Sequence, residues 1–518
     1  VRKAPEKHEA VRSEDLSTRS WRRGTGNPGL TPGGRRESLA TRATRLPGPP
    51  ARAGRSTDVM RDSVMIRSSL MGLVLLSSAP ALAASRPRYG GELRVAHSGP
   101  PEIGEPALAD TPMEAALLGL LTRPVCRVDA SGPVHPTQAR DLSRPVPQAL
   151  RVTMPSAASA TALARTWTRL SSTEAPSPYR ALLYPLRGEG RQVTSTGATL
   201  DLALAFPWPD LERSLCHPAL ATPPSPASGP FSAAGRGVLE AQATWPEGRP
   251  YLDRLALTAT DERGLARLWS ARQVQVELGM PSDTDTATGA ALYATYLAFS
   301  PRKVPADFRQ AVESAIDRED LTRLFVKGPA VPMANLLPPA LMPQVSRPRP
   351  SAPPAGASRK VTLVYDAALA DQRAVAERIQ VKLHDQGYTV ALEPQSRASL
   401  RSRQARGDFE LMLSAYLLPP IPGPALAVVL EAGGRRDLLG VELPPIGALT
   451  DATARDARSR DRALALAPSV PLIPLYAQGL AVRAAPEVTG LALDAQGLPV
   501  LEGAWLAPVE ASGGGGRP

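Results

Sequence analysis

The sequence predicts an α/β protein, and three observations carry that prediction. A chain of 518 residues is long enough for several domains or for one elaborate two-lobed body. Residues 296–339 read as a strand, a helix, a capped second helix and a proline-rich stop. Residues 361–393 read as a strand–helix–strand unit, which implies a parallel pair joined by a right-handed crossover.

Taken in chain order, residues 1–59 are rich in Arg, Gly, Ser and Pro and lack a sustained apolar period. They are expected to be disordered or a mis-assigned extension, and the chain opens on Val1 rather than Met. Gly24, Gly26 and Gly29 fit G-x-G-x-x-G, but no strand precedes them and Pro28 lies inside, so no dinucleotide site is expected. Residues 60–83 have the form of a signal peptide. Met60 or Met65 opens it, Arg61 and Arg67 charge its start, an apolar run covers 70–76, and Ala81-Leu82-Ala83 offers a small-x-small cleavage site. That run is too short to span a bilayer, which takes roughly 20 residues. Export follows, with a mature start near Ala84.

The formal net charge of +11 first suggests nucleic acid. Residues 1–83 hold 15 Lys/Arg against 7 Asp/Glu, and residues 84–518 hold 45 against 42. The excess therefore lies mostly outside the expected mature chain, and a nucleic-acid partner is not expected. Cys126 and Cys216 could close a loop of about 90 residues, or they could be two buried thiols; both readings stand open. No catalytic motif is present. His8, His97, His135, His217 and His384 form no metal-binding pair, and there is no nucleophile elbow or P-loop. Neither an enzyme, a metal nor a cofactor is expected, and a secreted hydrolase lacks a nucleophile–base pair.

Within 296–339, Phe308, Ala311, Val312, Ala315 and Ile316 recur at helical spacing, with Pro305 in the first turn. Asp317 caps the next helix with Asp320 three residues on, Leu321, Leu324 and Phe325 form its buried face, and Gly328 ends it. In 361–393, Val375, Ile379 and Leu383 line one helix face and Gly387 terminates it.

These segments carry a resemblance. Ala315-Ile316-Asp317-Arg318 after an aromatic-rich strand is similar to the middle segment of the family 5 extracellular solute-binding proteins, the dipeptide and oligopeptide receptors of ABC importers. Ser300 stands where Asn is usual. The strand at 89–96, Ser228-Gly229-Pro230-Phe231, the strand at 407–414 and Val470 to Tyr476 resemble further family motifs. The family's hairpin and Phe-His-Asp-Gly loop are missing after Ala139. The resemblance thus implies a bilobed periplasmic binding protein-like (type II) fold with an abbreviated extra subdomain. Its expected parts are lobe I at 84–292 with a subdomain at about 107–190, lobe II at 293–473, a return to lobe I at 474–510, and a disordered tail at 511–518.

By the same resemblance the protein is a periplasmic, soluble, monomeric binding component of an ABC importer. It has no cleavage-site cysteine for a lipid anchor, and an inner-membrane ABC permease is its partner. In peptide-binding relatives a Trp ends this strand and an Asp three residues on meets the peptide ammonium; here Tyr416 and Pro419 take those places, in what reads as a loop from Tyr416 to Leu426. Proline supplies no charge, so a peptide-like or apolar small solute is expected rather than a peptide held by its free N-terminus. Tyr416, Ser414 and Leu417 are the candidate wall residues, with Phe231, Glu102 and Tyr296 beside them. The alternative is a ligand-free, regulatory or structural homologue that acts by protein contact.

Overall fold

The computed structural model describes residues 86–99, 104–172, 177–186, 193–226, 228–279, 286–300, 302–345 and 359–508. The expected N-terminal extension, signal peptide and tail lie outside these residues, as does Glu102.

Two sheets organise the described chain. The first has seven strands in the order Thr286–Thr288, Ala481–Ala484, Val276–Gly279, Glu92–His97, Arg254–Ala259, Val238–Ala241 and Phe231–Gly235. Glu92–His97 pairs in parallel with both Arg254–Ala259 and Val276–Gly279, so the opening strand is central. Its Leu93 and Val95 alternate into the core as the period-2 pattern requires.

A smaller four-stranded antiparallel sheet follows in sequence: Asp141–Val146, Ala149–Thr153, Thr199–Ala203 and Ser195–Thr196. Leu150, Val152, Leu200 and Leu202 are buried, beside Trp167 from the helix Ala157–Ser171. The central strand Thr199–Ala203 carries this sheet past residue 190, and Asp141–Val146 and Ala149–Thr153 form a short hairpin of their own. Cys126 and Cys216 form a disulfide, tying the strand Cys126–Val128 to the end of the helix Leu211–Leu215.

The second main sheet has the order Ala330–Pro332, Leu472–Gln478, Tyr293–Phe299, Leu411–Leu417, Lys360–Asp366 and Thr389–Gln395. Lys360–Asp366 and Thr389–Gln395 are parallel, joined by the helix Ala370–His384 with Val375, Ala376, Ile379 and Leu383 buried. The three strands Tyr293–Phe299, Leu411–Leu417 and Leu472–Gln478 are buried at every residue, because both faces are covered. Leu472–Gln478 belongs wholly to this sheet, so the chain returns to the first sheet only after Gln478.

The faces of the second sheet diverge. Leu297, Phe299, Leu411 and Leu413 pack outward with Phe308, Val312, Ile379 and Leu383. Tyr296, Ala298, Met412 and Tyr416 turn instead to the larger core that also holds Leu93, Val95 and Trp167. That inward face directs the second sheet at the first.

Local details depart from the sequence expectations in three places. Leu324 is 58% exposed, so Leu321 and the half-buried Phe325 form the buried face of Arg318–Phe325 without it. Asp317 caps that helix by accepting from Asp320 N (3.0 Å), while the Asp320 carboxylate pairs with Arg323 rather than reaching back. The segment beyond Tyr416 is a buried helix, Pro422–Ala432, rather than a loop. Pro422 and Pro424 sit in its first turn, where their missing N–H groups would have had no intrahelical partner.

Candidate functional site

The site begins where the strand Leu411–Leu417 runs out against the first-sheet half of the molecule. Leu417 N donates to Asp110 O (2.9 Å) and to the Tyr179 hydroxyl (3.1 Å). Leu417 O accepts from His217 Nε2 at 3.0 Å. His217 Nδ1 accepts from Ala219 N (3.2 Å), which leaves the ring proton on Nε2 for Leu417. Burial lowers the His217 pKa to about 4, so this imidazole is neutral at ordinary pH. His217 precedes the short 3-10 helix Pro218–Leu220 as its capping residue.

A charged cluster lies beside that anchor. The helix Arg397–Arg406 is capped by Ser396 and places Arg397 and Arg401 one turn apart on one face. Arg401 Nε donates to Asp110 Oδ2 at 3.2 Å and Nη2 donates to Oδ1, a bidentate pair with both residues buried. The guanidinium also sits 5.0 Å from the Tyr416 ring centroid and 5.9 Å from that of Tyr179. Arg397 pairs with Asp366 (2.9 Å) and with Glu114, and reaches Leu108 O (3.3 Å). Burial pushes the Asp110 carboxyl upward, against the pull of Arg401 and Arg397.

Two cavities flank Arg401. The smaller, about 30 Å³, is polar in character, with Asp110, Arg397, Gln404, Ser414 and Tyr416 in its wall. It has room for water and little more. The larger, about 390 Å³, is lined by Pro106, Leu108, Leu170, Ala221, Pro223 and Ala398 together with Glu105, Arg169 and Arg401. Its walls come from both halves of the molecule, with Ala398 and Arg401 contributed by the helix that follows Thr389–Gln395.

The candidate residues fall as follows. Ser414 and Tyr416 line the smaller cavity. Tyr416 is 1% exposed, with its hydroxyl paired to Gln404 and its ring 6.3 Å from that of Tyr296. Tyr296 stands opposite Ser414 in register and donates its hydroxyl to Leu336 O (2.7 Å). Leu417 is fully buried and acts through its backbone. Phe231 is buried on the edge strand of the first sheet and lines neither cavity. Tyr296, Ser414, Tyr416 and Leu417 thus come together and Phe231 stands apart.

Sequence reasoning missed Asp110, Tyr179, Arg397 and Arg401. The spacing of Arg397 and Arg401 is a visible i, i+4 signal, but the helix lacks the apolar stripe that would have announced it. Among the described residues there is no group of His, Cys, Asp and Glu suited to a metal ion, and no helix long and apolar enough to cross a membrane.

Two α/β sheets whose halves share the wall of a part-apolar cavity define a two-lobed solute-binding architecture. Residues 159–433 match the bacterial extracellular solute-binding proteins, family 5 Middle, and the chain belongs to this family. It is therefore a solute-binding protein of the ABC-transporter class. No curated protein matches it. Among solved structures it is similar to the Escherichia coli murein tripeptide binding protein MppA, at 16% identity and TM-score 0.65 over 80% of this chain and 98% of that one. It is also similar to Burkholderia pseudomallei OppA, at 15% identity and TM-score 0.65 over 80% and 99%. Helicobacter pylori DppA, solved with the peptide STSA, is similar at 15% identity and TM-score 0.64 over 81% and 98%. At these identities the likeness establishes the fold.

Proposed function

We propose that the protein is the periplasmic substrate-binding component of an ABC importer and captures a peptide-like or apolar small solute between two lobes. The observation that carries this reading is the cavity of about 390 Å³ walled by both halves, a size suited to a small ligand. In this reading residues 60–83 direct export and are removed, no lipid anchor is attached, and the monomer delivers its solute to an inner-membrane permease. Lobe I begins near residue 84, lobe II begins near residue 293, and closure is a hinge motion between them. The protein performs no catalysis of its own.

A thermal-shift screen of the mature chain against dipeptides, oligopeptides and apolar metabolites tests the proposal. A true ligand at 100 times its Kd stabilises by about 2.7 kcal/mol, enough for a saturable upward shift. The packed surroundings of Tyr416, with its hydroxyl held by Gln404, favour a second reading: a homologue that has lost its ligand and works by protein contact. Failure of every ligand class would select that reading instead.

A further inference from the structure

We infer that the two halves rest closed: a latch made of the chain's own residues holds them together, and opening is the step that must be driven. This rests on the two-lobed solute-binding reading and concerns how access to its site is regulated.

The first observation is a shared core. Tyr179, Leu183 and Trp208 of the first-sheet half lie in one buried apolar cluster with Leu418, Leu426 and Ile446 of the second-sheet half. The helix Pro422–Ala432 is buried at every residue, and it packs against the 3-10 helix Pro178–Leu183 of the other half. Lobes move freely when the interface between them is small and polar. An apolar interface resists parting, because both faces must then be hydrated.

The second observation is matched charge. Asp110 pairs with Arg401, Glu114 with Arg397, Glu431 with Arg180, and Asp210 with Arg455, each across the two halves. No side chain among them is more than 20% exposed. Arg455 reaches Asp210 through two bonds, at 2.9 and 3.1 Å, and Arg180 Nε donates to Glu431 at 2.7 Å. Desolvation offsets much of the attraction in such pairs, but they match in only one relative placement of the halves. They set the register of a closure that apolar burial drives.

The third observation is close approach. A Cβ on Gly447 would lie 2.1 Å from Pro207 O and 2.9 Å from the Trp208 ring, and one on Gly440 would lie 2.9 Å from the Tyr184 hydroxyl. The helix Leu439–Gly447 thus carries glycine where the other half comes nearest. Every one of these contacts joins groups of the chain itself, so none has to be supplied by a solute. Arg401 also stands in the wall of the larger cavity, and the latch therefore shapes that wall before a solute arrives.

Single-molecule FRET on the mature chain tests the latch. Dyes are placed at Ala234→Cys, exposed on the edge strand of the first sheet, and at Val381→Cys, exposed on the helix over the second. Both native cysteines are held in the disulfide and take no dye. Without added solute, one short distance is expected, with open molecules at about 10% or fewer. Asp210→Asn leaves the Arg455 charge uncompensated only while the halves are closed. Gly447→Ala puts a methyl against Pro207 while favouring its own helix. Each should raise the ratio of open to closed molecules at least about tenfold, with circular dichroism confirming that the variant folds. An open population above that level in the otherwise unaltered chain overturns the inference, as does an unchanged distance in both folded variants. Solute capture is judged separately by the thermal-shift screen. A bound solute with the short distance unchanged supports both readings. A screen without ligands ends the capture reading, while the distance in the unaltered chain still decides the latch.

Discussion

Asp110 and Arg401 form a buried bidentate ion pair that joins the segment before the helix Pro112–Leu121 to the helix Arg397–Arg406, across 291 residues of sequence. The Tyr179 hydroxyl also donates to the Asp110 carboxylate, and the rings of Tyr179 and Tyr416 flank the guanidinium. Removing one partner strands a charge that water cannot reach. Asp110→Asn should therefore destabilise the fold by about 3–5 kcal/mol, read from urea denaturation. Paired replacement of both residues by apolar side chains of similar volume should recover much of that loss. A single variant as stable as the wild type would show that the pair does not join the halves in solution.

His217 gives the fold a pH dependence of known sign. Its folded pKa, about 4, lies below the ordinary 6.5, so the unfolded chain takes up a proton first as pH falls. Its contribution is complete above about pH 6.5 and is lost progressively toward pH 4, about 3 kcal/mol in all. Asp494, raised by burial to about 6, tilts the opposite way: its carboxyl is protonated in the folded state first. The difference between wild type and His217→Gln isolates the imidazole. The variant should lose less stability than the wild type between pH 7 and pH 5, and parallel profiles would refute the assignment.

The Cys126–Cys216 disulfide closes 90 residues of chain. Loop-closure entropy assigns such a bridge about 4–5 kcal/mol. Reductant, or the double change Cys126→Ser with Cys216→Ser, should lower the urea midpoint accordingly. An unaltered midpoint under reducing conditions would mean that the bridge contributes nothing.

Gly229 is required by close approach. A Cβ there would lie 2.3 Å from the carbonyl carbon of Leu121 and 2.6 Å from its oxygen, backbone atoms that cannot swing aside. Its neighbour Ser228 donates Oγ to the same carbonyl at 2.9 Å, which holds the two strands of chain together. Gly229→Ala should destabilise by about 1–3 kcal/mol in thermal or urea unfolding. A neutral result would indicate that the loop relaxes around an added methyl.

Legibility in the sequence followed the range of the forces involved. The helix Ala370–His384 was readable from Val375, Ile379 and Leu383, and its end from Gly387, whose φ of 86° suits glycine. Cap and stripe likewise located Arg318–Phe325, although Leu324 turned outward, because periodicity marks a face without saying how wide a neighbour covers it. Ser228-Gly229-Pro230-Phe231 was recognisable as wording, while its cause, the backbone of Leu121, was not. The helix Pro422–Ala432 was hidden by its prolines, which read as a break when seen in isolation.

The candidate site was legible only in part. Tyr416, Ser414 and Tyr296 were found on adjacent strands, and the structure shows them packed with little space around them. Arg397 and Arg401 stood in a stretch with almost no apolar signal, since the helix docks through ion pairs to Asp110, Glu114 and Asp366 rather than through a hydrophobic face.

By itself the sequence determined the elements whose cause lies within a few residues: helix stripes, caps, alternating strands, and the family wording they compose. The pairing of Cys126 with Cys216, the anchoring of Leu417 by His217 and the burial of Arg401 against Asp110 were decided only by tertiary structure. Each depends on groups brought together from distant parts of the chain. No local pattern records that proximity.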